Sequence, residues 1–170
     1  MEEPKITHVL EDYLKAIYVL MEDGQPVIAA RMAAETGVSA STIFATLRRL
    51  EKDGYVTINR RKEIHLTEDG RKVAEKIVRR HFLVERFLTD LLKLDWVKAH
   101  QEAHRLEHAI SQEVEERLAT LLSHPTTCPH GNPIPGTGSG KLPKTVPLSE
   151  AVDGQQVDLD YITEGGERDV

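Results

Sequence analysis

The chain has 170 residues, of which 39% are apolar, which suits a small folded domain with further segments attached. Its apolar runs are only a few residues long, and the acidic Glu2 and Glu3 are followed by no apolar signal core, so we expect a cytoplasmic protein with no membrane span. The net charge of -6 argues against a nucleic-acid binder only if that charge is evenly spread.

The charge is in fact strongly segregated along the chain. Residues 39–80 carry 11 basic and 6 acidic side chains, whereas residues 1–38 carry 3 and 7, and residues 81–170 carry 8 and 15. A local basic excess is what phosphate binding requires, whatever the total charge. The middle segment is therefore the predicted nucleic-acid contact.

The N-terminal region predicts three helices. Apolar residues recur at helical spacing from Ile6 to Met21, and the small residues from Ala29 to Thr36 predict a short second helix. Ser39 is placed to cap a third helix. The apolar stripe of this third helix recurs at i, i+4 and i+7 and comprises Ile43, Leu47 and Leu50.

A β-hairpin is predicted after the third helix. The segments Tyr55–Ile58 and Ile64–Leu66 read as strands around a charged turn. Three helices followed by a hairpin predict a winged helix-turn-helix domain over residues 1–70.

The outward face of the third helix and the tip of the hairpin form the predicted DNA-reading surface, because such a helix presents its polar face to the major groove. A basic helix face taken alone is more often only a solvated surface. Its combination with a capped helix, a glycine stop and a basic hairpin tip favours DNA binding. The predicted DNA-binding residues are Ser39, Ser41, Thr42, Thr46, Arg48, Arg49, Arg60, Arg61 and Lys62.

The rest of the chain predicts a helical domain, a linker and an incomplete segment. Thr67 caps a long amphipathic helix toward Leu92, and another is expected from about Val97 to Leu122, giving a helical domain over residues 71–124. Residues 125–147 are rich in Pro, Gly, Ser and Thr and predict a linker. Residues 148–170 contain strand-like pieces but are too short to fold alone.

A metal site is predicted from the histidines of the helical domain. His104, Glu107 and His108 stand at i, i+3 and i+4 and would share one helix face, with His100 one turn earlier. Imidazole and carboxylate groups suit a first-row divalent ion, but a full shell needs ligands from other elements. Further candidates are His81 and Glu85 on the preceding helix and Asp12 on the first helix.

Enzyme motifs are not found around these histidines. A zinc hydrolase helix carries Glu directly after the first of two histidines, whereas Gln101 follows His100 and Arg105 follows His104. The Glu-x-x-His motif of di-iron bundles is also missing. We therefore expect neither catalysis nor a small-molecule substrate.

The chain resembles the DtxR/MntR family of iron- or manganese-dependent repressors over residues 11 to about 136. The resemblance rests on residues 11–18 (EDYLKAIY), residues 50–54 (LEKDG), Arg80-His81 with Glu85, the His100 to His108 segment, and residues 131–136 (GNPIPG). It implies a mostly α fold, with a winged helix-turn-helix, a helical metal-binding and dimerisation domain, and the start of an SH3-like (FeoA-like) domain over residues 148–170.

The resemblance also implies two groups of metal ligands. Iron-type members commonly have Cys, and manganese-type members Glu, at the position of His104, so iron and manganese stay open as alternatives. The implied primary site comprises Asp12, His81, His104, Glu107 and His108. The implied second site comprises Glu85, His100, Cys128, His130, Glu164 and Glu167.

These features together predict a metal-dependent DNA-binding regulator, most simply a repressor of metal-ion homeostasis. Mn(II) or Fe(II) would be the co-repressor, and a homodimer would bind a double-stranded DNA operator. The alternative is a metal-independent winged-helix regulator that senses oxidation through Cys128, the single cysteine of the chain.

Overall fold

The computed structural model describes residues 6–22, 24–138 and 145–162. The chain divides into two compact units, residues 1–79 and residues 80–170. Among the described residues, no helix combines the length and the apolar content that a membrane crossing needs.

The first unit contains three helices and a hairpin, as predicted. The helices are α1 (His8–Glu22), α2 (Ala29–Thr36) and α3 (Ala40–Lys52). The strands β1 (Val56–Ile58) and β2 (Ile64–Leu66) pair antiparallel, with Thr57 opposite His65. The backbone N–H of Ile64 also donates to the carbonyl of Val27, 2.8 Å away, which ties the hairpin to the segment before α2.

Local signals in the sequence explain where these helices begin and end. The side chain of Ser39 accepts a hydrogen bond from the backbone N–H of Thr42 and caps α3 as predicted. Gly37 ends α2 in the left-handed conformation, at φ 67°, where a glycine carries no steric penalty. The core of the unit is built from the buried faces of all three helices and the hairpin, and its fully buried members include Leu14, Ile17, Met32, Ile43 and Leu50.

Helix α4 (Glu68–Arg86) begins in the first unit and ends in the second. Thr67 caps it, since its Oγ1 accepts from the N–H of Gly70 at 3.1 Å. A π-helical turn, Phe87–Leu91, continues it toward the predicted end. The second unit adds α5 (Trp96–Leu106) and α6 (Gln112–Leu121).

The prediction of one continuous helix from Val97 to Leu122 is wrong. The chain leaves the helix after Leu106, and α6 starts afresh because the side chain of Ser111 caps it by accepting from the N–H of Val114. Consequently Glu107 and His108 lie at and just beyond the C-terminal end of α5 rather than in the middle of a long helix.

The mostly helical fold class is confirmed, but the SH3-like start is not seen. Among the described residues 145–162 no strand forms, and the regular structure is a short 3-10 turn, Leu148–Glu150. The extended part of this segment instead bonds to the loop around residue 130, because the N–H of Ile162 donates to the carbonyl of His130 at 2.9 Å.

Candidate metal centre and nucleic-acid interface

Helix α3 separates a buried face from an exposed polar face. Its apolar stripe is at most 1% exposed and comprises Ile43, Leu47 and Leu50. Three hydroxyls cluster at the other face near the N-terminus, where Ser39 Oγ lies 3.0 Å from both Ser41 Oγ and Thr42 Oγ1. Arg48 and Arg49 are also exposed, whereas Thr46 is partly buried.

Phe44 belongs to the same exposed surface and was not predicted to have a role. Its side chain is 55% exposed, which is unusual for a large aromatic residue. The sequence offered a signal, because position 44 lies outside the apolar stripe of Ile43, Leu47 and Leu50.

The hairpin tip carries the predicted basic residues in a defined turn. Asn59 Oδ1 accepts from the backbone N–H groups of Arg61 at 2.9 Å and Glu63 at 3.0 Å. Lys62 adopts a positive φ of 63°. Arg60, Arg61 and Lys62 are all exposed.

His81 lies at the centre of the buried polar groups of the second unit. Its side chain is fully buried, and its Nδ1 lies 2.5 Å from Glu107 Oε2. Its Nε2 lies 3.1 Å from Glu85 Oε1 and 3.1 Å from His100 Nδ1. We call His81, Glu85 and His100 the His81 cluster, since their ligand atoms lie within 4.8 Å of one another.

A second donor group shares Glu85 and is completed by a loop. Glu85, Cys128 and His130 also place their ligand atoms within 4.8 Å, and all three are buried; we call them the Cys128 cluster. His130 Nδ1 lies 3.6 Å from Glu85 Oε2 and 3.9 Å from Cys128 Sγ. The loop is closed by the N–H of Cys128, which donates to the carbonyl of Asn132 at 2.8 Å.

The Glu85 carboxylate is the shared element of both clusters. Burial alone would raise its pKa, but the adjacent imidazoles of His100, His130 and His81 outweigh burial and hold the pKa well below its usual range. Its Oε2 is buried and has no hydrogen-bond partner within the part of the chain that the structure describes. A buried carboxylate oxygen beside imidazole and thiol donors is suited to a cation.

The third group lies at the end of α5. Glu107 is fully buried, with Oε1 3.2 Å from His104 Nδ1 and 3.4 Å from His108 Nε2. The side chain of His104 is 56% exposed and that of His108 only 10%. Glu107 therefore joins this group to His81 through its second oxygen.

The structure brings His100 next to His81 and Glu85, whereas His104 and His108 lie next to Glu107. Helical spacing alone places His100 with His104 and His108, and the family resemblance places it with Glu85. Asp12 is a partly buried residue of α1, in the first unit. Glu164 and Glu167 lie outside the described residues.

Family models match most of the chain. The iron dependent repressor N-terminal DNA binding domain matches residues 5–64. The iron dependent repressor metal binding and dimerisation domain matches residues 67–136.

Two curated relatives illustrate the similarity. The iron-dependent repressor IdeR of Mycobacterium tuberculosis is 42% identical over 132 residues, which are 78% of this chain and 57% of that protein. The diphtheria toxin repressor of Corynebacterium glutamicum is 39% identical over 163 residues, which are 89% of this chain and 72% of that protein. The chain thus spans little more than half the length of the mycobacterial relative.

Solved structures show the same similarity in three dimensions. A manganese-dependent transcriptional repressor in complex with manganese has a TM-score of 0.79 and 37% identity, and the match covers 92% of this chain and 72% of that one. The manganese regulator SloR has a TM-score of 0.70 and 33% identity, covering 79% of this chain and 63% of that one. The resemblance inferred from the sequence motifs is confirmed, and the chain belongs to the iron-dependent repressor family.

Proposed function

We propose that this protein is a metal-dependent transcriptional repressor of metal-ion homeostasis. It would act in the cytoplasm as a homodimer on a double-stranded DNA operator, with Mn(II) or Fe(II) as co-repressor, and it would have no small-molecule substrate. One observation carries the proposal: Glu85 is a buried carboxylate shared by two groups of metal donors, in a chain that also exposes a basic winged helix.

The donors fit a first-row divalent ion. Imidazole nitrogens and carboxylate oxygens bind iron and manganese, and a thiolate is a softer ligand. The Glu85 oxygen that lacks a hydrogen-bond partner among the described residues gives such an ion a charged contact. A bound ion would supply positive charge to compensate the buried carboxylates of Glu85 and Glu107.

We assign the ligands as the family resemblance implies. The primary site would be held by Asp12, His81, His104, Glu107 and His108. The second site would be held by Glu85, His100, Cys128, His130, Glu164 and Glu167. The fully buried His81 lies next to Glu107 of the first set and Glu85 of the second, so it would link the two sites.

Shared ligation gives a route from metal to DNA. Asp12 stands on α1 of the winged-helix unit, whereas the other primary ligands belong to the second unit. If these residues bind one ion together, metal binding selects the arrangement in which α3 is fixed relative to the dimerisation domain. We assign residues 1–70 to DNA binding, 71–124 to metal binding and dimerisation, 125–147 to a linker, and 148–170 to a separate C-terminal segment.

The proposed DNA contacts follow from exposure and charge. The hydroxyls of Ser39, Ser41 and Thr42 suit phosphates at the start of the recognition helix. Arg48 or Arg49 suits a bidentate contact to guanine, and Thr46 completes that face. The wing residues Arg60, Arg61 and Lys62 suit phosphates or the minor groove.

The names of the relatives leave the metal open. The curated relative of Mycobacterium tuberculosis is named iron-dependent, whereas the two structural relatives described above are named for manganese. His104 is compatible with either metal, because imidazole binds both ions.

Oxidation sensing through Cys128 gains no support from these relatives. The thiol is only 1% exposed, and a redox sensor needs a solvent-accessible thiolate. The buried position of Cys128 beside Glu85 and His130 favours ligation over oxidation.

The test is fluorescence anisotropy with an operator selected from random DNA by the metal-loaded protein. Mn(II) or Fe(II) is expected to raise the affinity for this operator, and His108→Ala to remove the response while the protein stays folded. His124→Asn is the matched control, because His124 is exposed, lies outside the clusters, and has a φ of 55° that asparagine tolerates. Equal responses of both variants would overturn the proposal.

A further inference from the structure

We propose that Trp96 is a positioning residue for His130 and thereby sets the metal affinity of the Cys128 cluster. Trp96 was given no role from the sequence, although it is the single tryptophan of the chain. The inference rests on the metal binding proposed above, and it concerns the orientation of one ligand ring.

The indole of Trp96 lies flat against the imidazole of His130. The ring centroids are 5.4 Å apart and the planes differ by 15°, which is a stacked geometry. Trp96 is 46% exposed, whereas His130 is only 6% exposed. The indole is therefore stacked with a lateral offset over part of one face of the imidazole, with part of its own surface in contact with water.

The stacked position directs a ligand atom into the cluster. With the ring in this plane, His130 Nδ1 lies 3.6 Å from Glu85 Oε2 and 3.9 Å from Cys128 Sγ. His100 approaches edge-on, with ring centroids 6.3 Å apart and planes at 84°. Trp96 and His100 are four residues apart on α5, so one helix face restricts the rotation of His130.

The backbone of His130 is held by other contacts. Its carbonyl accepts from the N–H of Ile162 at 2.9 Å, and Asn132 Nδ2 donates to the carbonyl of Ile162 at 2.9 Å. Trp96 itself is held at the start of α5, where the side chain of Asp95 caps the helix through the N–H of Lys98 at 3.0 Å. Removal of the indole should therefore free the imidazole ring without releasing the loop.

Restriction of the ring before binding lowers the entropic cost of ligation. A stacked aromatic pair contributes about 0.5–1.5 kcal/mol beyond its area burial. By the relation of tenfold per 1.4 kcal/mol, Trp96→Ala is expected to weaken Mn(II) binding at the Cys128 cluster by about two- to tenfold. Trp96→Phe should recover most of the affinity, because a phenyl ring can still stack.

The experiment is calorimetric titration of the 170-residue protein with Mn(II), as wild type, Trp96→Ala and Trp96→Phe, and of the wild type with Fe(II) as well. The same pair of measurements in a His130→Ala background completes a double-mutant cycle. We expect Trp96→Ala to have no further effect once the imidazole is gone. Val97→Ala, a neighbouring change on α5 at a partly exposed position, should leave the affinity unchanged.

Three results would overturn the proposal in different ways. If Trp96→Ala binds Mn(II) as tightly as wild type does, Trp96 does not position His130. If Trp96→Ala weakens binding equally in the His130→Ala background, its role is a general structural one. If the wild type binds no Mn(II) or Fe(II), the proposed function fails and this inference fails with it.

Discussion

Replacement of Glu85 by glutamine tests the link between the two donor clusters. Glu85→Gln keeps the shape of the side chain but removes its charge. Glu85 Oε1 lies 2.8 Å from His100 Nδ1 and 3.1 Å from His81 Nε2, and Oε2 faces His130. Hydrogen bonds to charged groups contribute about 1.5–3 kcal/mol, so we expect the metal-free variant to lose about 1–3 kcal/mol of unfolding free energy.

The larger expected effect is on the stabilisation that metal provides. A ligand present at about 100 times its Kd stabilises the native state by about 2.7 kcal/mol. Changes around metal ligands typically weaken affinity by about 10- to 100-fold, and removal of a charged ligand belongs at the upper end. At the same Mn(II) concentration, the increase in unfolding free energy that metal gives Glu85→Gln would then be only about 0.4 kcal/mol.

Urea unfolding of both proteins, with and without Mn(II), measures this gain directly. The matched control is Glu115→Gln, because Glu115 is also buried and pairs with Arg80 at 3.0 Å but lies outside the donor clusters. The control should have a lower free energy of unfolding without metal, but Mn(II) should stabilise it as much as it stabilises the wild type. If Mn(II) stabilises Glu85→Gln as much as it stabilises the control, Glu85 is not a metal ligand.

Three further changes test the winged helix. Leu47→Ala should lower the free energy of unfolding in urea by about 2–5 kcal/mol, because Leu47 is 1% exposed. Leu121→Ala, at a position that is 60% exposed, should lower it by less than about 0.5 kcal/mol. Equal losses would contradict the core described here. Ser39→Ala should lower the unfolding free energy by about 1 kcal/mol through loss of the α3 cap, and an unchanged midpoint would argue against that cap. Arg61→Ala should weaken binding to all DNA sequences alike and reduce the slope of log affinity against log salt concentration by about 1. Lys98→Ala, in the other unit, should leave the DNA affinity measured by anisotropy unchanged. A loss confined to one base pair of the operator would contradict a phosphate contact of Arg61.

The winged helix could be predicted because its signals are local. Ser39 caps the start of α3, and Gly37 ends α2. The spacing of Ile43 and Leu47 determines which face of α3 is buried. Each of these features depends on residues within a few positions of one another.

The break between α5 and α6 was missed although a local signal existed. Ser111 is a favoured N-cap residue, and Glu113 follows in the first turn. The predicted helix from Val97 to Leu122 runs through Ser111 and therefore contains Glu107 and His108, whereas α5 ends at Leu106.

The grouping of the donors could not be read from spacing alone. His81 meets Glu107 across 26 positions of the chain, and His100 meets Glu85 across 15. Such contacts depend on how α4 packs against α5, which helical periodicity does not specify. The Trp96 stack on His130 likewise depends on the path of a loop outside any helix.

The proposed coupling between metal and DNA can be measured from both directions in one thermodynamic cycle. The factor by which Mn(II) or Fe(II) raises operator affinity must equal the factor by which operator DNA raises metal affinity. We therefore propose calorimetric titration of the wild-type protein with each ion, with and without the selected operator. We expect DNA to tighten metal binding, by about 5- to 150-fold if the coupling is of ordinary size. Metal affinity that is the same with and without operator would contradict it.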